Sequence, residues 1–347
     1  MEKTKRISLG LQGGGAYGAF GWGVLDRLLA DDRLDIVAIS AASAGAINAV
    51  ALLDGFAHGG GPEGARRSLD RFWTTLGQAA ALGPLRPTPF DYLMGRGSIE
   101  TSPGYMLLQL ASATLAPEQL YPLNINTLST LLATLVDFKR VRACEEVSLF
   151  VSATNVRTGK GRVFRRHEID VEHVMASSCL PQVFAPVRID GEAYWDGSFV
   201  GNPPLAPLVN GDAGDIVVVQ NNPIARRDLP YSMADVNNRA NEIAFNISLV
   251  REISAIQHLG AVLDEESTGA ARRAPVRLHL ISGTGVLRDL SISSRFNTEW
   301  SFIRHLHDLG QMAAARWLDT HVDDVGVVST LDPAHVYASE EAPALSS

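Results

Sequence analysis

Ile36 to Val50 reads IVAISAASAGAINAV. An apolar, strand-like run turns sharply at Ala42-Ser43-Ala44 and continues as small, helix-compatible residues. A strand that stops at a serine and restarts as a helix is the local pattern of a nucleophile elbow. Such a turn holds its serine in a strained backbone conformation, with the hydroxyl clear of the sheet edge. Small residues must flank it two positions away on each side, or side chains collide. Here they are Ala41 and Gly45, so the G-x-S-x-G pattern is met on one side only. The helix opening after Ser43 also points its positive end at the serine, which favours an alkoxide or a nearby oxyanion. The same residues suit a simple N-cap between a buried strand and a buried helix. The rest of the chain has to decide.

Upstream, Arg6 to Leu11 (RISLGL) is a first buried strand by its apolar pattern. It runs into Gly13-Gly14-Gly15-Ala16-Tyr17-Gly18, and Ala19 to Ala30 carries Val24, Leu25, Leu28 and Leu29 at helical spacing. A strand, a glycine cluster and a helix make an anion-binding nest of converging backbone N–H groups. Gly13-x-Gly15-x-x-Gly18 also matches the dinucleotide fingerprint literally. That fingerprint wants an acidic residue at the end of the second strand. Here the second strand, Asp35 to Ser40, has its acid at the start and ends in the serine turn. An oxyanion hole built from Gly13, Gly14 and Gly15 therefore fits better than a cofactor loop. A purely structural glycine turn is the third reading.

Hydrophobic residues make up 46% of the 347 and charged residues 20%, which suits one large α/β domain or two small ones. A net charge of -8 without Lys/Arg blocks argues against nucleic acid as a partner and against a strong pull toward anionic lipid. The two cysteines, Cys144 and Cys179, form no metal or redox motif, so neither a metal nor a cofactor is called for. The N-terminus lacks a secretory core, and no stretch reaches bilayer-spanning length. A soluble, cytoplasmic protein is the expectation.

Further along, Gly55 to Gly64 reads as a loop. Arg66 to Leu135 is apolar and sparsely charged, as helical packing or as a mobile cover with an apolar inner wall. Strands are expected at Val147 to Thr154, Asp215 to Gln220 and Val276 to Ile281, a short helix at His173 to Cys179, and a hairpin at Val187 to Trp195 turning at Asp190-Gly191. A long helix is expected over Met233 to Leu263 and an amphipathic one over Glu299 to Leu318, with Glu265 to Arg273 a polar loop and a frayed tail after Ser339. No repeat or linker divides the chain.

An activated serine needs a base. His258, His279, His305, His307, His321 and His335 follow in sequence, and none has the glycine-rich setting of a catalytic turn. His279 lies inside a strand, where a satisfied buried histidine is the better reading. Asp196 stands at a strand end before Gly197, where catalytic groups of parallel-sheet proteins gather. An Asx-turn that merely closes a loop explains the same pair.

The blocks GGGAYGAFGWGVLDRLL, SAASAGAINAVAL, ATNVRTGKGRVF and ASSCLPQVFAPVRIDGEAYWDGSFVGNPPLAPL together resemble the patatin-like phospholipase family. The resemblance spans about residues 7–208. Residues 209–347, including FNTEWSFIRHLHDLGQMAAARWL, look like the remaining strands and helices plus the C-terminal extension of a bacterial subgroup, packed as one unit. The resemblance implies a three-layer α/β/α fold with a mostly parallel sheet. It implies a Ser–Asp dyad of Ser43 and Asp196 with the oxyanion hole at Gly13-Gly14-Gly15, supported by Ala41, Gly45 and Gly197. Ala41 stands where the family usually has glycine, and Ser198 where glycine or alanine is more common. The implied activity is serine lipid acyl hydrolysis on phospholipid or another lipid ester, with transient peripheral membrane contact. A lipid transacylase, or a weakly active relative that binds lipid or a partner, are the alternatives. Head group, chain length and oligomeric state have no sequence signature here.

Overall fold

The computed structural model describes residues 4–331 apart from 82, 96, 116–118, 120–126, 182, 210, 212, 225, 227–228, 232 and 267–275. Its strands are β1 (Lys5–Leu11), β2 (Leu34–Ala41), β3 (Ser148–Asn155), β4 (Gly161–Arg165), β5 (Val187–Ile189), β6 (Glu192–Asp196), β7 (Asp215–Gln220) and β8 (Arg277–Ser282). They form one sheet in the order β5-β6-β3-β2-β1-β7-β8, with β4 paired to β3 off that path. The run β3-β2-β1-β7-β8 is parallel throughout. The remaining pairings, β3 with β4, β3 with β6 and β5 with β6, are antiparallel.

The residues of β7 show why the sheet has two covered faces. All six of its residues are buried. Val217 and Val219 join a core with residues of α1 (Gly18–Leu29), α2 (Ala44–Gly55) and α3 (Gly61–Ala80). Ile216 and Val218 join a second core with Leu249 and Ile253, which lie toward the far side of the sheet. Side chains alternate between faces along a strand, so a continuous apolar run feeds two cores at once. The result is a three-layer α/β/α arrangement with a mostly parallel sheet.

Two further helices follow α3, α4 (Pro89–Met94) and α5 (Pro103–Thr114). Beyond them come α6 (Val171–Ser177), α7 (Met233–Glu266), which supplies Leu249 and Ile253, and α8 (Trp300–His321). Helix α8 lies against α1 at backbone distance. A Cβ on Gly23 would fall 1.9 Å from the His307 carbonyl oxygen, and one on Gly310 would fall 2.1 Å from that of Phe20. Only glycine permits so close a crossing. Trp22 then stacks on Trp73 at 6.3 Å and meets the His307 ring at 4.0 Å, so the C-terminal helix is fastened to the first one. Ile303, Leu306, Ala313 and Trp317 of α8 are all buried, which matches their spacing.

The hairpin β5–β6 turns at Asp190 (φ 51°) and Gly191 (φ 80°), two left-handed residues as a type I′ turn requires. The loop expected at residues 55–64 is present but shorter. Helical geometry continues through Phe56 and Ala57, His58 and Gly59 leave it, and Gly59 and Gly61 hold positive φ of 78° and 52°. Pro62 in the first turn of α3 then restarts the helix. The tail after 339 lies outside the described residues, as does most of the polar stretch at 265–273.

Candidate active site

Ser43 lies two residues past the end of β2 and immediately before α2, with φ 53° and ψ -125°, one of two non-glycine residues with positive φ among those described. That conformation is strained for an L-residue and persists only where the surroundings enforce it. Its N–H donates to Ser177 Oγ at 2.9 Å, from the last turn of α6. Its carbonyl accepts from Ala46 and Ile47 and so opens helix α2. Gly45 must lack a side chain, because a Cβ there would lie 2.3 Å from the Leu11 carbonyl oxygen. Ala41, in contrast, is accommodated with its methyl fully buried in the core.

The register on β3 brings the end of a distant strand, with its aspartate, next to the end of β2. Strands β2 and β4 both pair with Phe150 and Val151, so they occupy opposite edges of β3. Strands β4 and β6 both pair with Ala153 and Thr154, so they too occupy opposite edges. Strands β2 and β6 therefore share one edge of β3. Ala41 closes β2 opposite Val151, and Asp196 closes β6 opposite Ala153. The two C-terminal ends face each other two β3 residues apart, roughly 7 Å along the strand. Ser152 fills that interval, its hydroxyl donating to the Gly201 carbonyl at 3.2 Å. Gly197 is confined to glycine by the same residue, since its Cβ would lie 2.2 Å from the Ser152 carbonyl oxygen.

Asp196 is 1% exposed. Burial raises its pKa above the ordinary value of 3.8. The Ser198 N–H and the nearby Ser43 and Ser198 hydroxyls oppose that shift, with a weaker pull from the Arg295 charge. The Ser198 N–H donates to Oδ1 at 2.8 Å. Among the described residues no cation lies within ion-pair distance of this carboxylate. It is a buried acid among neutral groups, the elbow serine included. The Ser198 hydroxyl, where the resemblance implies glycine or alanine, helps to favour its charged form.

The glycine nest lies directly against the elbow. A Cβ on Gly13 would fall 2.6 Å from Ser43 Cβ, and Gly14 (φ 148°) and Gly15 (φ 62°) hold left-handed conformations. Gly13 is clamped by two asparagines. Its N–H donates to Asn202 Oδ1 at 2.7 Å, and its carbonyl accepts from Asn222 Nδ2 at 2.7 Å. Gln12 braces Asn222 in turn, its Oε1 accepting the Asn222 N–H at 2.8 Å while its Nε2 donates to Asn246. The Gly13 N–H is therefore engaged. Among the described residues the N–H groups of Gly14 and Gly15 have no acceptor.

The histidines are placed elsewhere. His279 Nε2 lies 3.0 Å from Asp215 and its Nδ1 2.9 Å from Thr330 Oγ1. His307 lies against Asp26 and Asp308, and His321 against Asp324. His335 lies outside the described residues. Sequence inspection missed Ser177, Asn202, Asn222 and Arg295. The text NPP after Gly201 and the pair Asn221-Asn222 at the end of β7 were the available signals. Neither carries a spacing that points at the glycine nest.

A family model described as patatin-like phospholipase matches residues 9–209. Two solved structures are similar to the chain. VipD from Legionella pneumophila is 14% identical, with 91% of this chain and 67% of that one covered and a TM-score of 0.42. ExoU-SpcU, a heterodimeric complex from the type III secretion system of Pseudomonas aeruginosa, is 14% identical, with 92% of this chain and 52% of that one covered and a TM-score of 0.36. The chain spans about two thirds of the first and about half of the second. No curated protein matches it.

Proposed function

The chain belongs to the patatin-like phospholipase family, and from that premise we propose that it is a serine acyl hydrolase acting on carboxylic esters of lipids through Ser43 and Asp196. The observation that carries this reading is the register on β3, which sets the end of the elbow strand beside a buried carboxylate whose pKa burial raises and the Ser43 hydroxyl lowers. An ordinary aspartate is too weak a base to help a serine at neutral pH. Burial strengthens it, and among the described residues no cation at ion-pair distance cancels that gain.

Ser43 Oγ attacks the ester carbonyl while its proton passes to Asp196. The N–H groups of Gly14 and Gly15 receive the oxyanion, each well-placed donor being worth about 3–4 kcal/mol. The tetrahedral intermediate collapses, the C–O bond to the alcohol breaks, and Asp196 returns the proton to the leaving oxygen. Water then attacks the acyl-serine, giving a proton to Asp196; the second tetrahedral intermediate collapses, the acyl–Oγ bond breaks, and Asp196 returns that proton to Ser43 Oγ as the fatty acid leaves.

Transient contact with a lipid surface belongs to the same reading. Phe90, Tyr92, Leu93 and Met94 of α4, and Met106, Leu107 and Leu110 of α5, are exposed. This segment adjoins the nest through residues 292–296: the Tyr105 ring meets Phe296 at 6.0 Å, and the Ile99 N–H donates to Ser293. Contiguous exposed apolar side chains mark a surface that meets lipid or protein. Among the described residues, no helix is long and apolar enough to cross a membrane.

Wild type, Ser43→Ala and Asp196→Asn proteins are compared on p-nitrophenyl butyrate, with a fluorophosphonate probe reporting on the nucleophile. Each substitution is expected to lower kcat/KM by at least about a thousandfold, with the circular dichroism spectrum unchanged and labelling of Ser43→Ala lost. Full activity in either folded variant removes the dyad. Mass spectrometry of mixed phospholipids after incubation then identifies the bond cleaved.

A further inference from the structure

Arg295 is the one arginine among the described residues that is buried as a whole, at 8% exposure. Buried guanidinium groups ordinarily face a carboxylate, because an unpaired charge in the interior is costly. The other enclosed arginines obey this. Arg226 meets Glu242 at 2.7 Å, and Arg277 meets Asp215 at 2.8 Å. Arg295 has no carboxylate within ion-pair distance among the described residues. Its one hydrogen bond there runs from Nη2 to Asn222 Oδ1, at 3.4 Å. None of its other nitrogens is sealed from solvent without a partner. The guanidinium lies over the Phe245 ring at 5.9 Å, a contact that holds its plane without neutralising its charge.

Its location is specific. The Arg295 carbonyl oxygen lies 2.5 Å from where a Gly15 Cβ would be, so its backbone touches the nest. Its side chain reaches Asn222, the residue that clamps Gly13. Its charge acts on Asp196 and on Glu242 from beyond contact range. Glu242 is already neutralised by Arg226 and Arg239. An acidic protein has therefore placed an uncompensated cation beside the amide donors of its candidate site. A planar guanidinium with free N–H groups fits a phosphate oxygen pair better than any neutral group.

Resting on the acyl-hydrolase reading above, we propose that Arg295 is a specificity-determining residue of the site: its guanidinium receives the phosphate of a lipid whose acyl carbonyl occupies the nest, so that phosphate-bearing esters are preferred over neutral glycerides. The residue lies outside the segment matched by the family model, so this selectivity is supplied by the C-terminal part of the chain.

The test compares wild type, Arg295→Gln and Arg295→Lys on a lysophosphatidylcholine and a monoacylglycerol carrying the same acyl chain. The quantity read is the ratio of kcat/KM for the two, which a general loss of folding or of dyad geometry leaves unmoved. Arg295→Gln is expected to lower that ratio about tenfold or more, the scale of one charge-assisted hydrogen bond, chiefly through KM, and Arg295→Lys to restore part of it. A ratio unchanged in Arg295→Gln overturns the proposal. Glycerophosphocholine and inorganic phosphate are added separately as competitors. Competition by glycerophosphocholine that disappears in Arg295→Gln supports a lipid head group, whereas competition by inorganic phosphate alone overturns that assignment in favour of a free anion. Calorimetry of lysophosphatidylcholine binding to Ser43→Ala, with and without Arg295→Gln, reads the same site without turnover. If the wild type hydrolyses no ester, the dyad reading falls while this arm still decides the role of Arg295: a roughly tenfold weaker affinity supports it, and an equal affinity overturns it.

Discussion

Asp196 and Asp215 are both buried carboxylates at strand ends of one sheet, and they titrate in opposite directions. Asp215 opens β7. It accepts hydrogen bonds from Arg277 Nε and Nη2, both at 2.8 Å, from His279 at 3.0 Å and from the Gly326 N–H at 2.9 Å. Burial alone would raise its pKa, but the His279, Arg277 and Gly326 bonds outweigh it and the value falls well below the usual carboxylate range. Asp196 closes β6 and accepts one N–H, with only neutral hydroxyls close by, so burial wins and its pKa rises. The two differ in their partners as well as in depth. Where a cation is in contact, the carboxylate is an ionised anchor. Where only neutral donors are, it remains able to exchange a proton. The two also sit at opposite ends of the strands, the anchor at the N-terminal edge and the exchangeable acid at the C-terminal edge where ligands of open α/β sheets gather.

Exchanging each carboxylate for its amide is the strongest way to break this contrast. Asp196→Asn is expected to abolish ester hydrolysis, by at least about a thousandfold, without loss of stability at neutral pH. Asp215→Asn is expected to retain activity per folded molecule while losing about 3 kcal/mol in urea unfolding, because it strands Arg277 and His279 in the interior. A stability loss in Asp196→Asn as large as that in Asp215→Asn would make the two carboxylates equivalent.

Stability measured against pH sharpens the same point. Asp215 has a folded pKa below its ordinary 3.8, so its contribution is full above that value and is lost as pH falls through the folded one. Asp196 has a folded pKa above 3.8. The native state therefore holds that proton more tightly than the unfolded chain, and stability is lost as pH rises through the raised value. Asp196→Asn should remove the second slope and leave the first. Since Asp196 must be ionised to take the serine proton, the acid limb of kcat/KM should lie above the ordinary carboxylate range in the wild type. A limb at or below 3.8 would contradict the assignment of the base.

The smallest effect tests the neutral donors themselves. Ser198→Ala removes a hydroxyl that stabilises the ionised form of Asp196. The acid limb should move upward by about one pH unit or less, with a modest change in the plateau. A downward shift would mean that the Ser198 hydroxyl favours the protonated acid.

Much of this was legible in the chain because it is local. The strand-turn-helix at Ser43, the glycines before Tyr17, the Asp190-Gly191 hairpin and the amphipathic run at Ile303 to Trp317 each express a rule acting over a few neighbouring residues. His279 read as a satisfied buried histidine, and it is one, bonded to Asp215 and Thr330. The glycines of residues 55–64 marked a real break between helices but not its length, because composition does not show how far helical geometry runs in from either side.

Ser43 and Asp196 could each be picked out from their own neighbours in sequence, since backbone strain and tight turns restrict which residue types fit. That the strand ends carrying them lie together was decided by β3, which pairs β2 and β6 in succession along one edge. The clamping of Gly13 by Asn202 and Asn222, and the position of Arg295 beside the nest, were likewise decided only in three dimensions. Hydrogen bonds and charges act through space, and residues separated by most of the chain's length leave no periodicity or spacing by which their proximity could be read.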